Sequence, residues 1–175
     1  MTDKAIDAVD GTQWSAVEEA VELLHEERFA DAMIQLRSAL QIDSKNPYAY
    51  YFLGVAFFES GEIEAARDAY TACLKLAPAH LGARIALAHV LRMLGDVAGA
   101  LRQGMAALSQ APGDPDALRA VGLAYHARGD DAATKKYLEA LLATGPELDV
   151  ALDTRAVLAR IGVTQNDGDE RDDDD

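Results

Sequence analysis

Proline and glycine recur along this chain at a fixed interval of 34 residues. The positions that share the interval are Pro78, Pro112 and Pro146, and then Gly61, Gly95 and Gly129. Two columns of small residues keep the same period: Gly54, Ala88 and Gly122, and then Ala32, Ala66, Ala100 and Thr134. A repeat of this length is typical of stacked helix pairs, because each pair must turn and end at the same place. The period predicts a solenoid and favours a binding surface over a catalytic site.

The period also divides the chain. A frame that begins at residue 13 gives one repeat domain, 13–162, with these units: 13–46, 47–80, 81–114, 115–148 and a capping helix at 149–161. The sequence predicts a flexible N-terminal segment at 1–12. It predicts a disordered acidic tail at 163–175, because from Asp167 onward there are seven acidic residues and no apolar residue that could be buried.

Each unit carries two apolar stripes at helical spacing. In the second unit the stripes are Tyr50, Leu53, Gly54 and Phe57, and then Ala66, Ala69, Tyr70, Cys73 and Leu74. Glycine tolerates the left-handed backbone that ends many helices, so Gly61 is expected to end the first helix. Pro78 stops the second helix. In the next two units, Asp96 and Asp130 follow the turn glycine and are predicted to cap the second helix.

These columns resemble those of a tetratricopeptide repeat. The second unit matches at Tyr50, Leu53, Gly54, Phe57, Gly61, Ala66, Tyr70, Cys73 and Pro78. The fourth matches at Leu118, Val121, Gly122, Tyr125, Gly129, Leu138 and Pro146, and the first more loosely at Ala20, Leu23, Phe29, Ala32, Leu36 and Ala39. The resemblance covers about residues 13–161. It implies an all-α, right-handed superhelical solenoid of four helix pairs and a C-terminal capping helix.

Some positions depart from the pattern. In the first unit, Glu27 stands in place of the turn glycine and Ser44 in place of the proline. The third unit has Arg84 where a large apolar residue is usual, and Gly104 where an aromatic one is usual. We therefore expect the third unit to be the least stable. In the capping helix, the apolar residues expected to face inward are Leu152, Ala156 and Ala159.

Composition excludes several classes of partner. The net charge of -14 and the pI near 4.5 disfavour nucleic acids and anionic membranes. No apolar run approaches the ~18 residues of a spanning helix, so no membrane insertion is expected. The acidic N-terminal segment does not look like a secretory signal. A lone Cys73 allows no intrachain disulfide and fits a reducing compartment, so we expect a cytoplasmic protein.

The resemblance implies a site on the concave face, where the first helix of each tetratricopeptide repeat binds peptide segments. The positions that would contact a partner are Val17, Val21, Leu24, Tyr51, Val55, Phe58, Ile85, His89, Arg92, Met93, Arg119, Leu123 and His126. We expect Tyr51, Val55, Phe58 and Ile85 to be apolar anchors. Arg92 and Arg119 would contact polar groups.

The predicted partner is therefore a protein or peptide with apolar anchors and an acidic flank. Some members of the family hold C-terminal carboxylates in a clamp of Lys, Asn and Arg. The matching positions here are Val17, Val21, Phe52, Gly82 and Ala86, none of which can hold a carboxylate. Chaperone tails are not expected to bind in that mode.

Three functions fit this pattern. The first is a scaffold or adaptor that binds a partner segment. The second is a cytoplasmic chaperone that holds an apolar segment of a secreted client, because size, charge and groove character are similar to class II chaperones of type III secretion. The third is a self-assembling structural protein. A monomer or weak homodimer is expected.

An enzyme is not expected. Cys73 lies in a column of small buried residues, and His89 and His126 have no third residue that would complete a metal site. No phosphate-binding loop, catalytic triad or paired-carboxylate motif is present, so neither a metal nor another cofactor is predicted.

Overall fold

A computed structural model describes the backbone of residues 6–169 and the side chains of residues 11–161. Within that range the chain is all-helical. The helices are α1 (Ile6–Ser15), α2 (Glu18–His25), α3 (Phe29–Ile42), α4 (Pro47–Glu59), α5 (Ile63–Leu76), α6 (Leu81–Met93), α7 (Val97–Gln110), α8 (Pro115–Arg128), α9 (Asp131–Ala143) and α10 (Leu148–Asp169).

Helices α2 to α9 form four antiparallel pairs that stack in chain order. Each helix contacts the next along the chain, and further contacts join α2 to α4 and α6 to α8. The first helices of the pairs therefore form an inner layer, and the second helices α3, α5, α7 and α9 form an outer layer. Helix α10 packs against α9 at the C-terminal end of the stack. The all-α repeat solenoid predicted from the 34-residue period is confirmed.

The turn inside each pair uses a left-handed residue. Gly61, Gly95 and Gly129 have φ angles of 79°, 83° and 79°, and a side chain at any of them would enter open space. The backbone conformation, and not crowding, is therefore the reason for glycine here. Glu27 holds the equivalent position of the first pair with φ 58°. The turn forms there without glycine, at the cost of a strained backbone.

The inner helices begin at equivalent caps. Asn46, His80 and Asp114 are 34 residues apart, and each side chain accepts a hydrogen bond from the amide three residues on. Asp96 and Asp130 cap the outer helices α7 and α9 in the same way, through the amides of Gly99 and Ala133, so that prediction is confirmed.

The small-residue columns allow close packing within the pairs. A Cβ atom on Gly54 would lie 2.4 Å from the Tyr70 ring, and one on Gly122 would lie 2.5 Å from Leu138. In the third pair, Gly104 takes the place of Tyr70, and a Cβ there would lie 2.7 Å from Val121 of the following helix. The Val121 side chain from the next repeat thus occupies space beside Gly104, where the second pair has the ring of Tyr70.

The ends of the solenoid differ from the sequence-based boundaries. Residues 6–12, predicted to be flexible, belong to α1, and the first inner helix begins at Glu18. Two hydrogen bonds join α1 to the stack. The side-chain amide of Asn46 donates to the backbone carbonyl of Gln13, and the side-chain amide of Gln13 donates to the Asp43 carboxylate at 2.8 Å. These contacts are between residues far apart in the chain, so helical periodicity could not predict them.

At the other end, α10 continues through Asp169, past the predicted start of the tail at residue 163. No proline interrupts this stretch. The remainder of the predicted tail, 170–175, lies outside the described residues, as do residues 1–5 of the predicted N-terminal segment.

The predicted inward face of α10 is wrong. Leu152 is 55% exposed and Ala156 and Ala159 are exposed, whereas Ala151, Thr154 and Ile161 are buried. Thr154 takes part in this face because its hydroxyl donates to the carbonyl of Val150 at 2.6 Å, so burial leaves it satisfied. Because Thr154 is polar, the buried face of Ala151, Thr154 and Ile161 does not show up as an apolar stripe in the sequence.

Candidate functional site

The groove is the surface formed by the inner helices α2, α4, α6 and α8 together with α10. Three cavities lie along it. The N-terminal cavity, of about 380 Å³, is lined by Val21, Leu24, His25, Glu27, Phe29, Tyr51, Phe52, Val55 and Glu59. The central cavity, of about 300 Å³, is lined by Tyr51, Phe58, Gly82, Ile85, Ala86, His89, Asp116, Arg119 and Ala120. The C-terminal cavity, of about 270 Å³, is lined by Arg119, Leu123, Leu138, Asp153, Thr154, Ala156, Val157 and Arg160.

Neighbouring cavities share a wall. Tyr51 lines the N-terminal and the central cavity, and Arg119 lines the central and the C-terminal cavity. The three spaces are therefore consecutive stretches of one groove that runs from α2 to α10. The period explains this order, since each inner helix places its own turn of side chains beside that of the next repeat.

An aromatic cluster supports the N-terminal part of the groove. The Trp14 ring lies 5.6 Å from that of Tyr48 and 5.9 Å from that of Phe52, in edge-to-face geometry. Phe52 in turn contacts Tyr51, with ring centroids 5.0 Å apart. Such pairs add about 0.5–1.5 kcal/mol beyond the burial of area. Trp14 thus joins α1 to the wall of the groove.

Tyr51 has a structural role as well as a place in the groove. Its ring lies 4.6 Å from His80 and 6.0 Å from Tyr70, and burial raises the pKa of its hydroxyl. The side chain is half-buried among three other rings. A change of Tyr51 to Ala would remove this packing, so it does not test binding separately from stability.

The central cavity combines an aromatic wall with positive charge. The His89 imidazole lies 5.6 Å from the Phe58 ring, in edge-to-face geometry. Burial lowers the pKa of His89, and the charges of Arg92 and Arg119 lower it further. His89 is therefore held in its neutral form beside two guanidinium groups from α6 and α8.

Arg92 is unusual among the described residues. Its Nε atom is buried and has no hydrogen-bond partner within the described part of the chain. Burial lowers the pKa of its guanidinium, and the nearby charge of Arg119 adds to this effect. An unsatisfied buried donor costs about 1–3 kcal/mol. The fold maintains this cost close to His89, which lines the central cavity.

Most of the predicted contact residues line the groove. Those that do are Val21, Leu24, Tyr51, Val55, Phe58, Ile85, His89, Arg119 and Leu123. Arg92 is half-buried beside His89, while Met93 and His126 are exposed on the same helices. Val17 is wrong as a groove residue, because its side chain is fully buried in the core between α2, α3 and α4. The break between α1 and α2 turns it inward.

Several lining residues are not among the predicted contacts: Phe29, Phe52, Gly82, Ala86 and Asp116. Phe52, Gly82 and Ala86 entered the prediction only as positions that match the carboxylate clamp. Gly82, Ala86 and Asp116 lie one turn before or after predicted residues on the same helices, so a wider helical face would have included them. Phe29 begins an outer helix and reaches the groove only through the tight turn at Glu27.

The described residues contain no group of His, Cys, Asp and Glu side chains that could hold a metal ion. Cys73 is fully buried on α5, and burial raises the pKa of its thiol to about 12. No helix in the described range combines the length and apolar character needed to span a bilayer.

Comparison with protein families gives two overlapping matches. Two models described as tetratricopeptide repeat match residues 23–72 and residues 51–115. Together they cover residues 23–115, from the last residues of α2 to the first residue of α8. No curated protein sequence matches the chain at a significant level.

Solved structures show the same fold. A crystal structure of MamA is 26% identical, with a TM-score of 0.69, over 80% of this chain and 82% of that chain. PilF of Pseudomonas aeruginosa is 21% identical, with a TM-score of 0.75, over 86% and 69%. The first repeat domain of Spaghetti (RPAP3), bound to the HSP90 peptide SRMEEVD, is 14% identical with a TM-score of 0.64, over 67% and 93%. These matches do not show a similarity to class II chaperones of type III secretion.

Proposed function

The chain belongs to the tetratricopeptide repeat family, and on that basis we propose that it is a scaffold or adaptor that binds a segment of a partner protein in its groove. The family consists of protein-interaction modules. The observation that carries the proposal is the row of three cavities with shared walls along the inner helices. Its length suits an extended segment better than a small compact ligand.

The chemistry of the walls indicates what kind of segment fits. The N-terminal and central cavities present Leu24, Val55, Phe58 and Ile85, which offer apolar area to apolar side chains of a partner. Burial of such side chains contributes about 25 cal/mol per Å² before the cost of ordering the segment is subtracted. The anchors proposed here are therefore these residues, with Tyr51 as the wall between the two cavities.

The peptide-bound domain of RPAP3 supports the use of this fold for peptides, though not the same mode of recognition. Of the positions that would form a carboxylate clamp, Val17 is buried in the core, and Gly82 and Ala86 line the central cavity without polar side chains. We propose that the terminal carboxylate is not the recognised group and that internal side chains of the partner are.

Among the described side chains of the groove, no arrangement points to catalysis. The neutral His89, the cationic Arg92 and Arg119 and the acidic Asp116 give no nucleophile with a hydrogen-bonded base. The proposed function is therefore non-enzymatic.

Affinity purification of the full chain from its native cells tests the proposal when groove and outer-surface variants are compared. The groove variant is Val55→Asp combined with Ile85→Asp, which places charges in two cavities. The matched control is Ile34→Asp, because Ile34 is 61% exposed on the outer helix α3. Thermal unfolding of each variant must first match that of the natural chain.

We expect a partner that is retained by the natural chain and by Ile34→Asp and lost with the groove variant. Hydrogen exchange of the complex should then slow in α4 and α6. A partner that binds the folded groove variant with unchanged affinity would refute the assignment. A client that stays bound as an unfolded chain would favour the chaperone function, and concentration-dependent mass without another protein would favour self-assembly.

A further inference from the structure

Two arginines lie at the central cavity of an otherwise acidic molecule: Arg119 lines it, and Arg92 lies close to His89, which lines it too. The chain has a net charge of -14, yet Arg92 and Arg119 lie close enough for their charges to act on each other and on His89. They come from α6 and α8, two repeats of the inner layer that contact each other. The proximity of the two guanidiniums is thus a product of the fold.

These two arginines have no carboxylate partner among the described residues. Exposed arginines near helix ends do: Arg28 pairs with Asp31 at 2.7 Å, and Arg128 with Asp130 at 2.8 Å. Asp116 lines the same cavity as Arg119 but forms no ion pair with it, and its charge acts on Tyr51 instead. Two neighbouring guanidiniums without an acid repel each other, so a ligand carboxylate would relieve that repulsion.

The unsatisfied Nε of Arg92 adds a second, geometric observation. Guanidinium groups bind carboxylates through two parallel hydrogen bonds, and burial strengthens such bonds. The other buried arginine Nε without a partner belongs to Arg84, whose remaining nitrogens donate to Gln103 and to the carbonyl of Pro78. Arg92 has no such bonds among the described residues; its Nε is shielded from solvent, so a ligand would meet the terminal nitrogens of this half-buried side chain.

We infer that Arg92 and Arg119 form a carboxylate-binding subsite, which takes an internal Asp or Glu side chain of the partner segment. The inference rests on the proposed function of the groove. Phe58 and Ile85 line the same cavity, so the acidic residue is accompanied by an apolar neighbour. The recognised element is an acidic and an apolar side chain at adjacent or alternate positions of an extended segment.

A separate protein is a better occupant than this chain's own acidic C-terminus. From Thr164 to Asp175 the sequence contains no apolar residue, so it cannot supply the side chain that would face Phe58 and Ile85. Its acidic residues could pair with the arginines, but Phe58 and Ile85 would stay exposed to water. The two halves of the cavity therefore favour a partner that carries both chemistries.

The test selects peptides from a random library displayed on phage, with the full chain as bait. Parallel selections use Arg92→Gln combined with Arg119→Gln, which removes charge with little loss of volume. The control is Arg102→Gln, an exposed arginine on the outer helix α7. We expect the natural chain and the control to enrich Asp or Glu beside an apolar residue, and the double variant to lose the acidic preference.

Fluorescence anisotropy of a selected peptide then measures the subsite. Replacing its acidic residue by the matching amide should weaken binding about 10- to 100-fold, which is the usual range for a charged hydrogen-bonded pair. The same change should have little effect on binding to the double variant, because the interaction is already absent there. The amide peptide tests the inference without any alteration of the protein.

Other outcomes separate the inference from the proposed function. Peptides without an acidic preference that fail to bind the Val55→Asp, Ile85→Asp variant would overturn the subsite and leave the groove assignment standing. If no peptide is enriched, or if that variant binds the selected peptides normally, both proposals are wrong. An increase of tenfold or more in peptide affinity when Asp172–Asp175 are changed to Asn would identify the chain's own C-terminus as the occupant, against the inference.

Discussion

The ring of Tyr70 on α5 fills the space that a side chain at Gly54 on α4 would need. A Cβ atom on Gly54 would lie 2.4 Å from Cε1 and 2.9 Å from Cζ of that ring. Tyr70 is 3% exposed and packs in the core beside Ala83 and Leu87 of the next repeat. The approach of α4 to α5 and the position of α6 therefore depend on one ring.

We predict that Gly54→Ala destabilises the protein by about 1–3 kcal/mol, because the new methyl group overpacks a rigid site. Urea unfolding would measure the loss. In a Tyr70→Ala background the same substitution should cost less, since the ring is gone, and a double-mutant cycle would give the coupling energy. Additive effects of the two changes would show that the ring does not limit the approach of the helices.

Replacing Glu27 by glycine is expected to stabilise the protein. It occupies the turn position of the first pair with φ 58°, where Gly61 has φ 79°. A left-handed backbone costs a non-glycine residue about 1–2 kcal/mol, and glycine's greater freedom in the unfolded chain offsets part of the gain. Glu27→Gly should raise the free energy of unfolding by about 1 kcal/mol.

The reverse substitution is the control for this prediction. Gly61→Glu places a glutamate at the equivalent, sterically open position of the second pair, where φ is 79°. It should lower the free energy of unfolding by about the same 1 kcal/mol. If both substitutions lower stability, backbone strain at Glu27 is not the explanation.

His80 should make stability depend on pH. Its Nδ1 accepts a hydrogen bond from the Ala83 amide at 3.1 Å, which requires a neutral ring, and burial lowers the pKa of His80 below its usual 6.5. The unfolded chain then binds a proton more readily than the folded one. The stability that the cap contributes is present above pH 6.5 and is lost as pH falls through the lower pKa of the folded state.

Urea unfolding at several pH values between about 5 and 8 tests this, because those values bracket the usual pKa of histidine. His80→Asn is the matched variant, because Asn46 and Asp114 cap the neighbouring inner helices through the same atoms of the turn. We expect the variant to lose part of the pH dependence and to keep most of the cap, worth about 1 kcal/mol. His89, whose pKa burial also lowers, accounts for part of the remaining dependence. An unchanged pH profile in His80→Asn would contradict the role of the cap.

The orientation of α10 gives a further prediction. Ile161 is 2% exposed, whereas Leu152 is 55% exposed on the opposite face. Ile161→Ala should therefore destabilise by about 2–4 kcal/mol, and Leu152→Ala should change stability by less than about 0.5 kcal/mol. Thermal and urea unfolding would measure both. The opposite order would restore the face predicted from the sequence.

The parts of the fold set by the period could be predicted from the sequence. The turn at Gly61, the caps Asp96 and Asp130 and the small column that includes Gly54 each repeat at 34 residues because each repeat solves the same geometric problem. The ends could not be predicted in this way. At α1 the hydrogen bond from Asn46 to Gln13, and at α10 the burial of Thr154, occur once each and leave no periodic signal.

The same distinction between repeated and single features applies to the groove residues. Residues such as Phe58 and Ile85 could be placed in the groove from their position in the repeat, because the inner helix always turns the same face to it. Val17 was misplaced because the chain breaks between α1 and α2. That Arg92 has no acidic partner within the described residues depends on neighbours from other repeats, which a single helical stripe does not specify.

The sharing of Tyr51 and Arg119 between cavities has a consequence for any chain that lies along the groove. With no gap between one cavity and the next, a side chain seated in one sets which neighbours can reach the others. For the partner segment that we propose, the spacing between its anchors would then matter as well as their chemistry. Inserting one residue between two anchors should weaken binding even though both anchors are kept.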